Sequence, residues 1–408
     1  MIPRFLETTI ENSIQNFPVT ILMGARQVGK STLISKIADK FSYTYISLDD
    51  LLLRKEANED PVFFLSKYKL PLVIDECQKA PILFDEIAHI VNQARLKKDN
   101  SNGLFILTGS ESLSLKDKAI ESLAGRANII EMFPLSNKEI NLDKRQCLSF
   151  NVSEYIDKKY DINIKDIFKK IVRGGYPELH KNNNLKSNDF YRAYLNTYIE
   201  KDVKPLIKES NQTKFLSFLQ YVASLTGQTL DKTSISKNIG IEIKTVDSWL
   251  DILIRTNIIF LIQPYVDSSL TKRIVKTPKI YFVDTGLATY LARLNNVDNL
   301  MNNRFNGAFF ETYFINEIIR GFSSLNIDAE FYYYRDSHQN EIDLVILQDG
   351  ILHLVEFKMN AMVDKNSCKS FNQLSSAYYK IGTSYIVCCT KEIYKVDDDV
   401  YAFPCLNL

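Results

Sequence analysis

Over residues 1–140 the chain alternates short apolar runs with longer segments in which apolar residues recur at helical spacing. The short runs predict buried strands and cover residues 19–23, 43–48, 72–75, 104–108 and 127–132. The helical segments between them include residues 30–40 and 84–95. Strands that alternate with helices of this length predict an α/β fold with a parallel sheet covered on both faces.

The pattern changes beyond residue 140. A polar stretch with helical spacing comes first, and a helix, a turn, a second helix and two β-rich runs follow it. The remainder returns to mixed α/β character, with strong strand patterns at residues 341–348 and 351–358. We therefore predict four segments, which are residues 1–140, a helical lid or connector at 141–210, 211–285 and 286–408.

The charge balance excludes bulk attraction to nucleic acid. The chain has 408 residues, with 50 Lys and Arg against 49 Asp and Glu, and its formal net charge is +1. Contact with a polyanion would therefore have to come from a local basic patch. With 45% apolar and 24% charged residues, the composition is that of a globular protein with room for two or three domains.

The sequence predicts a cytoplasmic protein with no membrane partner. No apolar run approaches the roughly 18 to 20 residues that span a bilayer. The first residues lack the basic and then apolar pattern of a secretory signal. The six cysteines show neither a Cys-x-x-Cys pair nor zinc-ligand spacing, so we expect reduced thiols, several of them buried.

One motif predicts nucleotide binding. Residues 24–31 fit G-x-x-x-x-G-K-[ST] at every position, between a predicted strand and a predicted helix. The glycines allow backbone N–H groups to surround phosphates, and the helix dipole adds to the attraction. We expect Lys30 to reach the β- and γ-phosphates and Ser31 to hold Mg²⁺. The predicted ATP-binding loop comprises Gly24, Ala25, Arg26, Gln27, Val28, Gly29, Lys30, Ser31 and Thr32.

Such a loop requires an acidic metal partner at the end of a later buried strand. Asp75 and Glu76 follow the apolar run at 72–74. We predict that Asp75 holds Mg²⁺ and that Glu76 acts as the general base for the attacking water. By themselves, two such carboxylates would better fit a loop start or a helix cap; beside the glycine loop they do not.

Two further positions have a functional and a plain interpretation. The next strand ends in Thr108, Gly109 and Ser110, where Ser110 or Thr108 could sense the γ-phosphate or simply lie in a solvated turn. Arg126 precedes the fifth strand, where it could meet the γ-phosphate of its own or a neighbouring subunit, or be an ordinary surface arginine. The second subunit would make the protein a homo-oligomer.

The combination of motifs resembles the AAA-type P-loop ATPases of bacteria and archaea that carry a C-terminal region related to PD-(D/E)XK nucleases. The resemblance extends over nearly the whole chain, and its motifs lie at residues 24–31, 73–81, 107–110 and 173–178, together with C-terminal carboxylates. It implies a P-loop NTPase domain, a restriction-endonuclease-like α/β domain at 286–408, and ATP binding with hydrolysis.

Residues 211–285 look like a winged helix. The pattern predicts helices at 234–239 and 244–255 with Gly240 at the turn, and then wing strands at 258–265 and 279–283. Trp249 and its apolar neighbours would form the buried face of the second helix. Such a module can bind DNA, dock a protein or be purely structural.

The charges of this segment point in two directions. Four basic residues at the wing lie within eight positions that contain no acid, which predicts a phosphate-contacting patch; they are Lys272, Arg273, Lys276 and Lys279. In contrast, the second helix carries Asp247 and Asp251, which suit a phosphate-facing helix poorly. DNA and protein partners therefore both remain open.

A second metal site is predicted in the C-terminal segment. Asp349 and Gly350 form a preferred two-residue turn, which places Asp343 opposite Glu356 on a hairpin. Two opposed carboxylates repel, and a divalent cation would relieve the repulsion. Lys358 faces the same way. The alternative is that Lys358 simply pairs with the acids and the fold is a relic without nuclease activity.

The resemblance to PD-(D/E)XK nucleases adds two residues to this site. It assigns a third acidic ligand to Glu311 and a supporting role to Gln373. Together the patterns predict a Mg²⁺-dependent ATPase coupled to remodelling or recognition of DNA or a protein. Alternatives are a nucleotide-gated binding switch with little turnover and an ATP-regulated, metal-dependent DNA nuclease.

Overall fold

The structure is a computed structural model that describes residues 2–97, 100–110, 121–143, 147–156, 158–207, 211–266 and 276–408. The chain divides into two compact units. Unit 1 contains the chain up to Leu135 together with Tyr176–Lys181 and Arg255–Asn257. Unit 2 contains Ser136–Gly175, Asn182–Ile254 and Ile258–Leu408.

In the described part of unit 1, five strands form one parallel sheet, as the alternating pattern predicts. They are β1 (Val19–Gly24), β2 (Thr44–Ser47), β3 (Leu72–Asp75), β4 (Phe105–Ser110) and β5 (Ala127–Glu131). The strand order is β2-β3-β4-β1-β5. These strands are parallel, so their carboxyl ends lie at one edge of the sheet, where β4 separates β1 from β3.

The helices of this unit follow the apolar periodicity. They are α1 (Leu6–Asn16), α2 (Lys30–Phe41), α3 (Leu51–Glu59), α4 (Pro61–Ser66) and α5 (Leu83–Leu96). On α2, Leu33, Ile34 and Ile37 are buried, so the helix packs through one apolar stripe. Every residue of β1 is buried, which explains why that strand is almost wholly apolar.

Ten α-helices follow in the rest of the described chain. They are α6 (Asn137–Ile140), α7 (Ile164–Arg173), α8 (Pro177–Lys181), α9 (Ser187–Tyr198), α10 (Gln212–Ala223), α11 (Lys232–Ile239), α12 (Ile243–Arg255), α13 (Thr285–Leu291), α14 (Val297–Met301) and α15 (Asn306–Ser324). Of these, α8 belongs to unit 1. The apolar α15 is buried along most of its length, which is typical of a central helix.

The described strands of unit 2 form one mixed sheet. They are β6 (Gln228–Thr229), β7 (Ile259–Pro264), β8 (Lys279–Phe282), β9 (Glu330–Arg335), β10 (Glu341–Gln348), β11 (Ile351–Phe357), β12 (Lys380–Ile381), β13 (Ser384–Cys388), β14 (Tyr394–Asp397) and β15 (Val400–Pro404). The order is β14-β15-β13-β11-β10-β9-β7-β8-β6, and β12 pairs with β11. Since β7 pairs with β9, the segments 211–285 and 286–408 share this sheet.

The hairpin of β10 and β11 has the predicted register. Leu344 pairs with Val355, and both central turn residues, Asp349 and Gly350, have positive φ angles of 50° and 75°. These angles are those of the two-residue turn that matches strand twist. Between Ile342 and Val345 the pairing of β10 with β9 shifts by one residue, which is a β-bulge beside Asp343.

The predicted helix–turn–helix is present as α11 and α12. Asp231 caps the start of α11 by accepting backbone hydrogen bonds, and Gly240 ends it with a left-handed φ of 69°. Val246 and Trp249 lie on the buried face of α12, as the spacing predicts. Strands β7 and β8 follow as an antiparallel pair. The assignment of this segment as a winged helix stays a prediction.

Two further expectations concern the whole chain. Among the described residues, no helix is both long enough and apolar enough to span a membrane. All six cysteines are free thiols, and five of them are buried.

Candidate functional site

The loop between β1 and α2 has the backbone conformation that its glycines predict. Gly24 and Gly29 have φ angles of 151° and 99°, and Gln27 is also left-handed at 61°. A Cβ atom at Gly24 would overlap the backbone carbonyl oxygen of Met132. A side chain at this position is therefore excluded, and the loop can close around the start of α2.

Lys30 lies in the first turn of α2 and is directed back over the loop. Lys30 is only 7% exposed, and its Nζ donates hydrogen bonds of 2.8 Å to the carbonyl oxygens of both Gly24 and Ala25. The ammonium group is thus held beside the N-terminus of a helix, where the backbone N–H groups also attract anions.

Asp75 brings together three neighbouring elements. Its Oδ1 accepts a hydrogen bond from Ser31 Oγ at 3.3 Å and another from the hydroxyl of Thr108. Its Oδ2 accepts a bond of 2.8 Å from the hydroxyl of Tyr45. The structure therefore places Ser31 beside Asp75, as the sequence predicts. A hydroxyl and a carboxylate are hard oxygen donors of the kind that Mg²⁺ prefers, so this pair fits the expected metal.

Tyr45 is a residue that sequence reasoning missed. It pairs with Val73 in the register of β2 and β3, two positions before Asp75, so it faces the same side of the sheet. Burial and the neighbouring Asp75 carboxylate raise the pKa of the Tyr45 hydroxyl, which consequently stays a hydrogen-bond donor. The period-2 spacing of the strand was the available signal.

Glu76 begins the turn that follows β3. Its φ angle is 56°, in the left-handed region, and the side-chain amide of Gln78 donates a hydrogen bond to its carboxylate. The short 3₁₀ helix Cys77–Lys79 follows directly. A non-glycine residue held in this region costs free energy, and such strain is typical of functional positions.

The structure contradicts one interpretation of Arg126. Its carbonyl oxygen bonds the N–H of Val19, at the start of β1, whereas the loop follows the end of β1. Six strand residues separate these edges by about 17 Å. The Arg126 guanidinium instead bonds Asn92 Oδ1 at 2.9 Å. The prediction that Arg126 contacts the γ-phosphate of its own subunit is therefore wrong. Contact with the γ-phosphate of a neighbouring subunit stays a prediction.

The remaining loop residues differ in exposure. Ala25 and Val28 are buried, Arg26 is half-buried, and Thr32 is exposed on α2. The backbone of Ser110 pairs with that of Gly24, but its side chain lies outside the described part of the structure. The prediction that Ser110 senses phosphate thus stays a prediction.

Two contacts with the loop were not predicted. Arg4 donates hydrogen bonds to the carbonyl oxygens of Val28, at 2.9 Å, and Phe133, at 2.6 Å. Pro177 lies beside Gly29, where a Cβ atom would be 3.8 Å from its Cγ. The signal for Pro177 was present in the motif at 173–178, but the partner of a distant turn cannot be deduced from local pattern.

The preceding half of that motif is held within unit 2. Gly174 has a φ angle of 73°, and a Cβ atom there would overlap the hydroxyl of Tyr191 and approach the carboxylate of Asp284. Asp284 accepts hydrogen bonds from the N–H of Gly175 and from the Tyr191 hydroxyl, both at 2.7 Å. The carboxylate therefore fixes the turn from which the chain leaves unit 2 at Tyr176.

The position of Lys279 bears on two predictions, the exposed basic wing and the C-terminal metal site. It was expected in an exposed basic wing, but it is 2% exposed on β8. Its Nζ lies 2.9 Å from Glu311 Oε1, 2.5 Å from Glu341 Oε1 and 4.0 Å from Asp343 Oδ1. Every residue of β8 is buried, so neither face of this strand is exposed and the lysine is buried with it. Lys276 is exposed, while Lys272 and Arg273 lie outside the described residues.

In the structure, the acidic residues of the predicted C-terminal metal site pair with lysine side chains. Among the residues that the structure describes, no group of three or more His, Cys, Asp or Glu side chains is arranged to hold a metal ion. Glu311 and Asp343 share the Lys279 ammonium instead. Lys358 Nζ donates a 2.6 Å bond to Glu356 Oε1, as the alternative interpretation expects. Gln373 is half-buried on the 3₁₀ helix Lys365–Leu374.

The ionisation of this cluster reflects burial. Burial raises the pKa of Glu311 to about 7, although Lys279 opposes the shift. Burial and then the Asp343 carboxylate raise the pKa of Glu356 to about 8. Burial disfavours the charged form of Lys279, but the neighbouring acids outweigh it, and its pKa is raised well above its ordinary value. The lysine is therefore a permanent ammonium group.

Comparisons with known proteins agree with the geometry of unit 1. Residues 16–141 match the family model described as an AAA domain. Residues 164–298 and 306–408 match models described as domains of unknown function, DUF8612 and DUF4143. The expected nuclease relationship of residues 286–408 is not confirmed by that description. The loop and the Asp75 site both lie within the residues that match the AAA domain, so this part of the chain is similar to AAA-type P-loop domains in sequence and in geometry.

Related chains extend the similarity beyond residues 16–141. An uncharacterized protein of Mycobacterium tuberculosis is 25% identical over 352 residues, which cover 86% of this chain and 72% of that protein. An uncharacterized protein of Methanocaldococcus jannaschii is 24% identical over 320 residues, which cover 70% and 65%. Among solved structures, a Walker-type ATPase of Pyrococcus abyssi is 20% identical, covers 70% of this chain and 94% of its own, and has a TM-score of 0.42.

Proposed function

We propose that the protein is an ATP-binding, Mg²⁺-dependent ATPase whose unit 2 recognises or remodels a partner. The observation that carries the proposal is the arrangement of the loop against Asp75. A left-handed glycine loop, a lysine in the first helical turn and a serine within 3.3 Å of a carboxylate come together at one sheet edge. This arrangement supplies both an anion-binding backbone and oxygen ligands for a cation.

Each side chain has a defined task in this proposal. The Lys30 ammonium exchanges its carbonyl partners for phosphate oxygens, since both are acceptors within reach of the same group. Ser31 and Asp75 hold Mg²⁺, which would neutralise charge on the phosphates when bound. Thr108 and Tyr45 keep Asp75 in position through its two oxygens.

Glu76 is proposed as the general base. Its carboxylate directly follows Asp75 and is held by Gln78, so it lies at the same edge of the sheet as the loop. A carboxylate in this position can orient water and accept its proton. The alternative is a nucleotide-gated switch with little turnover, for which no such base is required.

Steady-state phosphate release distinguishes turnover from a switch. We expect the wild type to release phosphate, Glu76→Gln to bind ATP without turnover, and Lys30→Ala to lose affinity for ATP. Matched controls are Glu59→Gln, an exposed acid on α3, and Lys36→Ala, an exposed lysine on α2. Both should retain full activity. A wild type that binds ATP but releases no phosphate would contradict the ATPase proposal and leave the switch.

The charges on α12 bear on the nature of the partner. Its exposed face carries Lys244 but also Asp247 and Asp251, and Asp247 is paired with Lys232 at 2.6 Å. With Lys279 buried, this described surface favours a protein partner over DNA. ATPase activity should consequently be the same with and without duplex DNA. Stimulation by DNA that falls with rising salt would instead assign unit 2 to DNA recognition.

A further inference from the structure

A single ammonium group lies at the centre of the acidic cluster of unit 2. Lys279 Nζ contacts carboxylates from two other elements, namely Glu311 on α15 and both Glu341 and Asp343 on β10. The lysine comes from β8, which lies on the far side of β7 and β9 from β10 in the order of strands. The group is therefore an interior cation supplied by a distant part of the sequence.

The surroundings of Lys279 are built for a cation. The hydroxyl of Tyr281 donates a 2.6 Å bond to Glu311 Oε1, which fixes the same oxygen that accepts from the lysine. The ring of Tyr333 lies with its centroid 5.5 Å from Nζ, within the range of a cation–π contact. The bulge between Ile342 and Val345 positions Asp343 at this point of β10.

One oxygen of the cluster is left without a partner. Glu356 is 7% exposed; its Oε1 accepts from Lys358, whereas its Oε2 is buried and has no hydrogen-bond partner among the described residues. By the register of the hairpin, Glu356 stands opposite Asp343. Buried carboxylate oxygens normally have hydrogen-bond partners. In this cluster, Glu356 Oε2 has none among the described residues, whereas Lys279 neutralises the other carboxylates.

We propose that Lys279 takes the place of a divalent metal ion in this cluster, so that unit 2 works without a metal there. A divalent ion would need the carboxylate oxygens at about 2.0–2.6 Å. The ammonium already lies against the oxygens of Glu311 and Glu341, and it is 4.0 Å from Asp343 Oδ1. Two cations this close repel strongly in a buried site. The lysine thus both neutralises the acids and excludes the metal. This inference is independent of the proposed ATPase activity.

The test is a titration of the whole chain with Mn²⁺ in the absence of nucleotide, in which electron paramagnetic resonance measures the bound Mn²⁺. All samples carry Asp75→Asn, which removes the carboxylate of the other predicted metal position. Lys279→Met removes the ammonium but keeps an unbranched side chain. We expect it to bind Mn²⁺ at least about tenfold more tightly than the chain with Lys279. Adding Asp343→Asn should abolish this gain.

Two results of this titration would overturn the proposal. The first is Mn²⁺ binding by the chain that retains Lys279, with loss of that binding on Asp343→Asn. The second is no Mn²⁺ binding by either Lys279→Met or the polar variant Lys279→Gln. Lys365→Met, which removes an exposed ion pair with Asp397, is the matched control and should bind no Mn²⁺.

A second measurement covers the case in which the variant folds poorly. Mn²⁺ should raise the melting temperature of Lys279→Met or Lys279→Gln, because a ligand of the folded state stabilises it, and should leave the chain with Lys279 unchanged. The same Mn²⁺-dependent rise in the chain with Lys279 would count against the proposal. Cleavage of supercoiled DNA by the wild type with Mg²⁺ or Mn²⁺, lost in Asp343→Ala, would also refute it.

Discussion

Replacing Lys279 by methionine should destabilise the protein strongly. The side chain is 2% exposed, and the three carboxylates within 4.0 Å would lose their common cation. Removing one partner of a buried ion pair leaves an uncompensated charge and costs about 3–5 kcal/mol. Glu341 keeps the Arg335 guanidinium at 3.5 Å, so the cost falls mainly on Glu311 and Asp343. This perturbation therefore isolates the electrostatic role of one group.

The expected shift in melting temperature follows from the size of the unit. Unit 2 has about 260 residues, for which 1 kcal/mol corresponds to roughly 2 °C. The variant should melt about 6–10 °C below the wild type by circular dichroism at pH 8. Lys365→Met removes an ion pair whose lysine is 71% exposed, and it should change stability by less than about 1 kcal/mol.

The pH dependence tests whether charge is the cause. The pKa values of Glu311 and Glu356 in the folded protein, about 7 and about 8, lie above their ordinary value of 4.5. These carboxyls therefore bind more protons when folded, so their contribution to stability is full below pH 4.5 and is lost as the pH rises through 7 to 8. Because Lys279 lowers the pKa values of Glu311 and Asp343, the ionised forms of these two carboxyls become costlier still without the ammonium. The stability difference between wild type and Lys279→Met should consequently widen from pH 5 to pH 8. An equal difference at both values would attribute the loss to packing and refute the electrostatic argument.

Three further predictions concern other contacts. Tyr45→Phe removes a hydrogen bond to Asp75 and should raise the Mg²⁺ concentration for half-maximal binding of a fluorescent ATP analogue about 3- to 10-fold; an unchanged Mg²⁺ dependence would contradict a positioning role. Arg4→Met removes one bond to the Val28 carbonyl in the loop and one to the Phe133 carbonyl after β5, and it should weaken ATP binding about fivefold by calorimetry, with no change in affinity as the contrary result. Gly174→Ala should lower the free energy of unfolding in urea by roughly 2–5 kcal/mol, whereas Gly240→Ala, where a Cβ meets nothing within 4 Å, should cost only about 1 kcal/mol. Equal losses in the two glycine variants would refute the overlap argument.

The geometry of the glycine loop was predictable because its constraints are local. Gly24 and Gly29 are needed for backbone conformations that other residues avoid, and the flanking strand and helix follow from apolar periodicity. The same holds for the hairpin of β10 and β11, where a two-residue turn sets the register and so places Asp343 opposite Glu356. In both cases the residues that determine the geometry lie within a few positions of one another.

The parts that were wrong or missed depend on pairing between distant segments. Lys279 follows a run of basic residues, and only the position of β8 within the sheet and its contacts with α15 and β10 reveal that it is buried among acids. Arg126 precedes a strand in either interpretation, and the parallel pairing of β5 with β1 decides which edge it occupies. Tyr45 needed the register of β2 on β3.

The sequence by itself determined the conformation of the glycine loop and which residues lie in strands or helices, because those properties arise from short-range sterics and periodicity. The tertiary structure alone decided which charges meet. A buried lysine is stable only where carboxylates from other elements compensate its desolvation, and that compensation exists only after the chain has folded. For this reason a cluster that suggests a metal site in the sequence holds an ammonium group in the folded protein.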